Sequence, residues 1–364
     1  SEGNFNIFMG SFTGSTSSDV NFNTFVGYNS GALTSGNNGV FLGYQSGSSS
    51  TNIDGDIFIG SNSGQNTEGS QNTLVGYNSG TRCGSANTLI GFEAGKNSTG
   101  SNNIVLGYQS GINIASNDNI VIGSNSLKNN LPVSSSGNII IGNESGEGIT
   151  NEGNVYLGFR SGNKNRGTNN TILGNLAQSY INTDETFYDT QDNTIIGNNA
   201  GKNFLGNKNL IIGSEAGKGP NTGVTNILEN NTLIGFNAGS KNNKYNDLFV
   251  IGNNSGASIE ETQDSYYNDS HNLIIGNNSF STGNTKGNLI IGNNSGNNIT
   301  SGENNTFIGD KTGFNVTTGS NNLFLGGGSS LIYKKLETNS FDLSNTYYNS
   351  SQETWNIADV SNPN

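Results

Sequence analysis

Apolar residues in this chain come in triplets, and each triplet is closed by a glycine. In Asn87-Thr88-Leu89-Ile90-Gly91-Phe92-Glu93-Ala94-Gly95, a polar corner leads into three strand-forming residues and a glycine, and two variable positions, a small residue and a second glycine follow. Indexed by the glycine after the triplet, 19 copies run from Gly10 to Gly326, most of them 15 to 17 residues apart. The residue before the index glycine is aliphatic or Met, and the residue two before it is Phe, Tyr, Ile, Leu or Val, in all 19. Asn stands four before it in 16 copies, and Gly four after it in 15. Such regularity marks a repeat architecture, in which units bury their apolar faces against their neighbours.

Each triplet predicts a short β-strand. It is too short for a helix, no 3.6-residue period runs through the chain, and its residues are mostly β-branched or aromatic. Successive side chains of a strand point to opposite faces. The positions one and three before the glycine therefore share a face, and the position two before takes the other. The residue just before the glycine is assigned to the coil core: Val26, Leu42, Ile59, Ile90, Ile122, Ile141, Ile196, Ile212, Ile275, Ile291 and Ile308. The residue two before is assigned to an interface with other chains: Phe25, Phe41, Phe58, Leu74, Leu89, Ile140, Ile195, Ile211, Ile274, Ile290, Phe307 and Phe324. The glycines fit tight corners. The Asn before the triplet tolerates left-handed backbone and can form a ladder from coil to coil.

The predicted fold is all-β: a narrow parallel β-solenoid of about 19 coils over residues 4–330. At roughly 4.8 Å per coil this gives a rod on the order of 90 Å long. An apolar stripe of that length exceeds what a soluble monomer exposes, so a closed homo-oligomer is expected.

Asn138-Ile139-Ile140-Ile141-Gly142-Asn143-Glu144-Ser145-Gly146 and its siblings resemble the head repeats of trimeric autotransporter adhesins. Those repeats also combine an aliphatic strand, a glycine and small residues. The resemblance implies a left-handed parallel β-roll, three chains per head and attachment to surfaces, and makes the inter-chain set above a trimer interface. Similar Asn- and Gly-rich repeats occur in fibre proteins of phages and large DNA viruses. The location so implied is extracellular, on a cell surface or a virion, with the chain itself (a homotrimer) and a host-surface glycan or protein as partners.

Composition narrows the function. Hydrophobic residues are 30%, Gly is 54 of 364, and the net charge is −12 with only 12% charged residues. Nothing here offers a basic patch to nucleic acid, and no apolar run is long enough to span a membrane. One Cys, Cys83, excludes an intrachain disulfide framework. One His, His271, leaves no Ser/His/Asp arrangement and no zinc spacing. No enzyme, catalytic residue, metal site or cofactor is predicted.

Three intervals exceed the period, near 178–192, 217–230 and 257–270, and are expected to leave the coil as loops. The first and third mix Tyr with carboxylates (Tyr188, Asp189, Tyr266, Tyr267 and Asp269), a composition suited to glycan contact or a Ca2+ site. The alternative function is accordingly a glycan-binding module. The residue after the index glycine is aromatic in seven copies, a column that covers the coil corner or meets sugars. Thr occupies the strand in only seven scattered copies, too few for an ice-binding array. Residues 331–364 lack the repeat and are expected to form a cap, neck or transition segment.

Overall fold

A computed structural model of the chain describes residues 4–128, 135–180, 188–219, 228–240, 246–256, 271–280, 285–314, 316–327, 346–349 and 354–357. Among them the regular elements are β-strands, with no helix. The chain divides into two compact units, residues 1–193 and 194–364.

The first unit is a parallel β-solenoid. Eleven three-residue strands, from Ile7–Met9 to Thr171–Leu173, carry the predicted triplets. Pairing is parallel and in direct register, as in Phe25↔Phe41, Phe41↔Phe58, Leu74↔Leu89 and Leu89↔Val105. The second unit repeats the arrangement with eight such strands, from Thr194–Ile196 to Leu323–Leu325. It adds a parallel pair, Gly206–Asn207 with Leu228–Glu229, on another wall of the coil. Thr346–Asn349 and Thr354–Ile357 pair antiparallel within residues 331–364.

The structure reverses the face assignment. Phe25, Phe41, Phe58, Leu74, Leu89, Ile140, Ile195, Ile211, Ile274, Ile290, Phe307 and Phe324 are buried inside the coil of a single chain, so they are its core and cannot meet another chain. Val26, Leu42, Ile59, Ile90, Ile122, Ile141, Ile196, Ile212, Ile275, Ile291 and Ile308 point outward with the residue three before the glycine. Leu89 is 1% exposed and its neighbour Ile90 38%. The interior is wide enough for one side chain from each strand, and the central residue supplies it while its two flanks face out.

The Asn before each triplet belongs to that interior. It lies two residues from the central residue and so shares its face. Its backbone is not left-handed; its side chain forms a ladder. Asn103 N–H donates to Asn87 Oδ1 (2.9 Å), and Asn119 donates to Asn103 Oδ1 through N–H (3.0 Å) and Nδ2 (3.1 Å). The same side chains cross the coil: Asn103 Nδ2 donates to the Ser116 carbonyl at 3.0 Å. Asn209→Asn231 and Asn272→Asn288→Asn305→Asn322 repeat the ladder in the second unit, each later Asn donating to the one before. Nearly every buried amide in such a ladder has a partner (Asn72 Nδ2, next to Asp56, is the exception among the described residues), which is what allows Asn inside an apolar coil.

The corner after the strand is a run of turns. In the coil of Gly43 the Ser46, Ser48 and Ser50 N–H groups donate to the Gly43, Gln45 and Gly47 carbonyls. Residues two, four and six after the index glycine have positive φ, here Gln45, Gly47 and Ser49. Gly47 is demanded twice over, since its φ is 63° and an added Cβ would lie 2.4 Å from the Phe41 ring. Where this glycine is replaced, by Leu127, Gln178 or Phe280, the new side chain is buried and the central strand residue is Val121, Ile172 or Ile274 rather than Phe. Interior volume is shared between the two positions.

A further inward column, seven after the index glycine, has no clear signal in the sequence. It holds Ser17, Thr34, Ser50, Thr67, Cys83, Ser98 and Ile114 in successive coils. Cys83 is therefore a core residue; burial pushes its thiol up to about 12, which leaves it unreactive.

Candidate interaction surfaces

Two outward surfaces stand out. The first is the strand face made by the positions one and three before the index glycine. Ile57, Ile59, Ile90, Ile104, Ile139 and Leu157 are among its exposed residues in the first unit, and Ile196, Phe249, Ile308 and Leu325 in the second. No charged residue occurs at either position in any copy, although the chain carries −12. Eleven strands at about 4.8 Å make this face of the first unit some 50 Å long, and two outward residues make it about 10 Å wide. Four of the eleven strands place Thr on this face (Thr24, Thr73, Thr88 and Thr171), and the face as a whole, on the order of 500 Å2, is comparable to the largest apolar patches of typical monomers.

The second surface is the corner column one after the index glycine. Tyr28, Tyr44, Tyr77, Phe92, Tyr108, Phe159 and Phe236 are 40–51% exposed. Tyr28 stacks on Tyr44 (5.6 Å between centroids), and Tyr77 on Phe92 on Tyr108 (5.2 and 5.1 Å). Arg160 lies 5.1 Å from the Phe159 centroid. Beside the column a polar seam ties coils together: Lys96 and Gln109 both donate to the Glu93 carboxylate, and Lys128 donates to Gln109 Oε1. The Lys96 hydrogen bond is the main reason the Glu93 carboxyl sits below the usual range.

The Tyr/acid loops fare differently. Tyr188 does not project. Its N–H donates to the Lys164 carbonyl (3.0 Å), its carbonyl accepts from Arg166 N–H (2.7 Å), and its ring packs 4.3 Å from that of buried Tyr180. It pairs with Asn165 as a parallel bridge and so belongs to the coil wall. Asp189 is exposed beside it. Tyr266, Tyr267 and Asp269 lie outside the described residues. Among the described residues no group of three or more His, Cys, Asp or Glu is arranged to hold a metal, and no helix is long and apolar enough to cross a membrane.

One buried carboxylate interrupts the Asn ladder. Asp56 is fully buried; its Oδ1 accepts Asn72 N–H at 2.7 Å, while its Oδ2 has no partner among the described residues. Other ladder positions place a donor there, the Asn Nδ2 that crosses to a carbonyl, as from Asn23 to Gly36 and from Asn87 to Gly100. A protonated Asp56 supplies that donor and an ionised one does not. Burial accordingly raises its carboxyl to about 7.

Comparison with known proteins finds no family that matches this chain and no curated protein similar to it.

Proposed function

We propose that the chain is the shaft of a self-associating surface fibre, a homotrimer joined through the outward strand face and used for attachment at a virion or cell surface. The observation that carries this reading is the uncharged apolar stripe formed by the positions one and three before the index glycine. Exposed to water it costs solvation along the whole of each unit. Buried against the same stripe of another chain, it supplies a continuous dry contact between flat sheets, which pack about 10 Å apart. Copies that each carry −12 repel elsewhere and can approach closely only where charge is absent. A closed ring of such faces leaves none exposed. The attachment role follows from the resemblance to adhesin heads and viral fibres.

Light scattering coupled to size exclusion tests the assembly, with three chains per particle expected. Lysines at Ile90 and Leu106 place charge on the stripe without touching the coil interior, and are expected to yield monomers that keep their β-sheet circular dichroism. A parent protein that is a stable monomer at micromolar concentration refutes the proposal. Attachment is tested by binding of labelled trimer to cells, compared with the lysine variant.

A further inference from the structure

Between Tyr28 and Tyr108 the exposed aromatic column is broken at one coil by a single small residue. In coil order it reads Tyr28, Tyr44, Ser61, Tyr77, Phe92, Tyr108. The three coils at the break are in strict register. Asn62 N–H donates to the Tyr44 carbonyl (2.9 Å) and Asn78 N–H to the Ser61 carbonyl (3.0 Å), and their strands pair Phe41↔Phe58↔Leu74. Tyr44 has Tyr28 stacked on one face, and Tyr77 has Phe92 on one face. The free face of each ring therefore ends its stack toward the Ser61 coil. Two coil steps put these rings about 9.6 Å apart. A ring placed midway lies about 4.8 Å from each, within the stacking range of roughly 4.5–7 Å and near the 5.1–5.6 Å spacings of the column itself.

We propose that Tyr44, Ser61 and Tyr77 form a slot that sandwiches one pyranose ring of a neutral glycan. The walls are aromatic and suit the C–H faces of a sugar. The rim offers neutral hydrogen-bonding groups: the Ser61 hydroxyl at the base, the two phenol hydroxyls, and the side-chain amide of Gln45 one residue further on. Asn62 and Asn78 are joined by a 3.1 Å hydrogen bond, which fixes that edge. None of these positions is charged; the carboxylate that reaches this edge, Glu93 on Asn78, is already paired with Lys96, and the −12 of the chain disfavours phosphates. The slot lies within one chain and does not rest on the assembly proposed above.

Calorimetric titration of the full chain with neutral hexasaccharides of glucose, mannose, galactose and N-acetylglucosamine tests the slot. At least one is expected to bind. Ser61→Tyr fills the vacant step with a ring of the protein's own and is expected to abolish binding with no loss in melting temperature. Tyr77→Ala removes one wall and is expected to weaken binding at least about tenfold. Tyr108→Ala, at the far end of the stack, leaves it unchanged. The proposal is overturned if no saccharide binds, or if binding survives Ser61→Tyr. It is equally overturned if only a flat aromatic probe such as indole binds and is displaced by that substitution.

Discussion

Truncating Leu89 and Ile90 separately is a sharp test of which strand face is the core. Leu89 is 1% exposed and packs in register between Leu74 and Val105. Across the coil it already touches backbone, since a Cβ on Gly95 would fall 2.5 Å from Leu89 Cδ1. That opposite wall is held by the Gly95 N–H to Ser110 carbonyl and Gly80 N–H to Ala94 carbonyl bonds, both 2.9 Å. It has little freedom to close over a hole. Leu→Ala in a core costs roughly 2–5 kcal/mol, with the upper end where the site cannot collapse, so Leu89→Ala is expected to cost about 3–5 kcal/mol. Ile90 is 38% exposed in the single chain, and Ile90→Ala is expected to cost the dilute chain only about 1 kcal/mol. Urea melts followed by circular dichroism measure both. Because solenoid coils contact only their neighbours, hydrogen exchange should show the Leu89→Ala loss concentrated in adjacent coils. The Leu89→Ala effect should not vary with protein concentration, whereas the Ile90→Ala effect should grow as chains associate. An Ile90→Ala loss equal to that of Leu89→Ala in monomeric protein would refute the face assignment.

Three other outcomes are expected. Asp56 has a raised folded pKa, so its stabilising contribution is complete below the ordinary carboxylate range and is lost as pH climbs to about 7. Asp56→Asn should restore the ladder, flatten that pH dependence and raise the melting temperature at pH 8, by an amount worth at most about 4 kcal/mol; an unchanged slope between pH 4 and 8 would reject the assignment. Gly47→Ala should destabilise by about 2–3 kcal/mol through left-handed strain and contact with Phe41, and Phe41→Val should recover part of that loss in a double-mutant cycle, as the natural Leu127/Val121 pair suggests; additive losses would refute shared volume. Asn103→Ala strips the acceptor for the Asn119 N–H and the donor to the Ser116 carbonyl, and should cost about 3 kcal/mol in denaturant melts. A neutral effect would mean the ladder is not stabilising.

The sequence by itself determined the period, the three-residue strands, the parallel stacking and the all-β class. A triplet of β-branched and aromatic residues closed by glycine every 15 to 17 residues has few other ways to bury itself. It also showed the aromatic column, because that column recurs at one place in the repeat. Only the tertiary structure decided which strand face turns inward. Alternation says that Leu89 and Ile90 oppose each other but carries no sign, and both positions are apolar in every copy. A clue lay in Asn87, two residues before Leu89 and on its face: a ladder of amides is satisfied side by side inside a stack, and that stack is the core. The column of Cys83 and its equivalents was hidden because a narrow coil accepts Ser, Thr, Cys or Ile there, so no residue type marks it. The slot at Ser61 was hidden for a related reason. Tyr44 and Tyr77 are 33 positions apart in the chain, and only exact coil register aligns them across one missing ring.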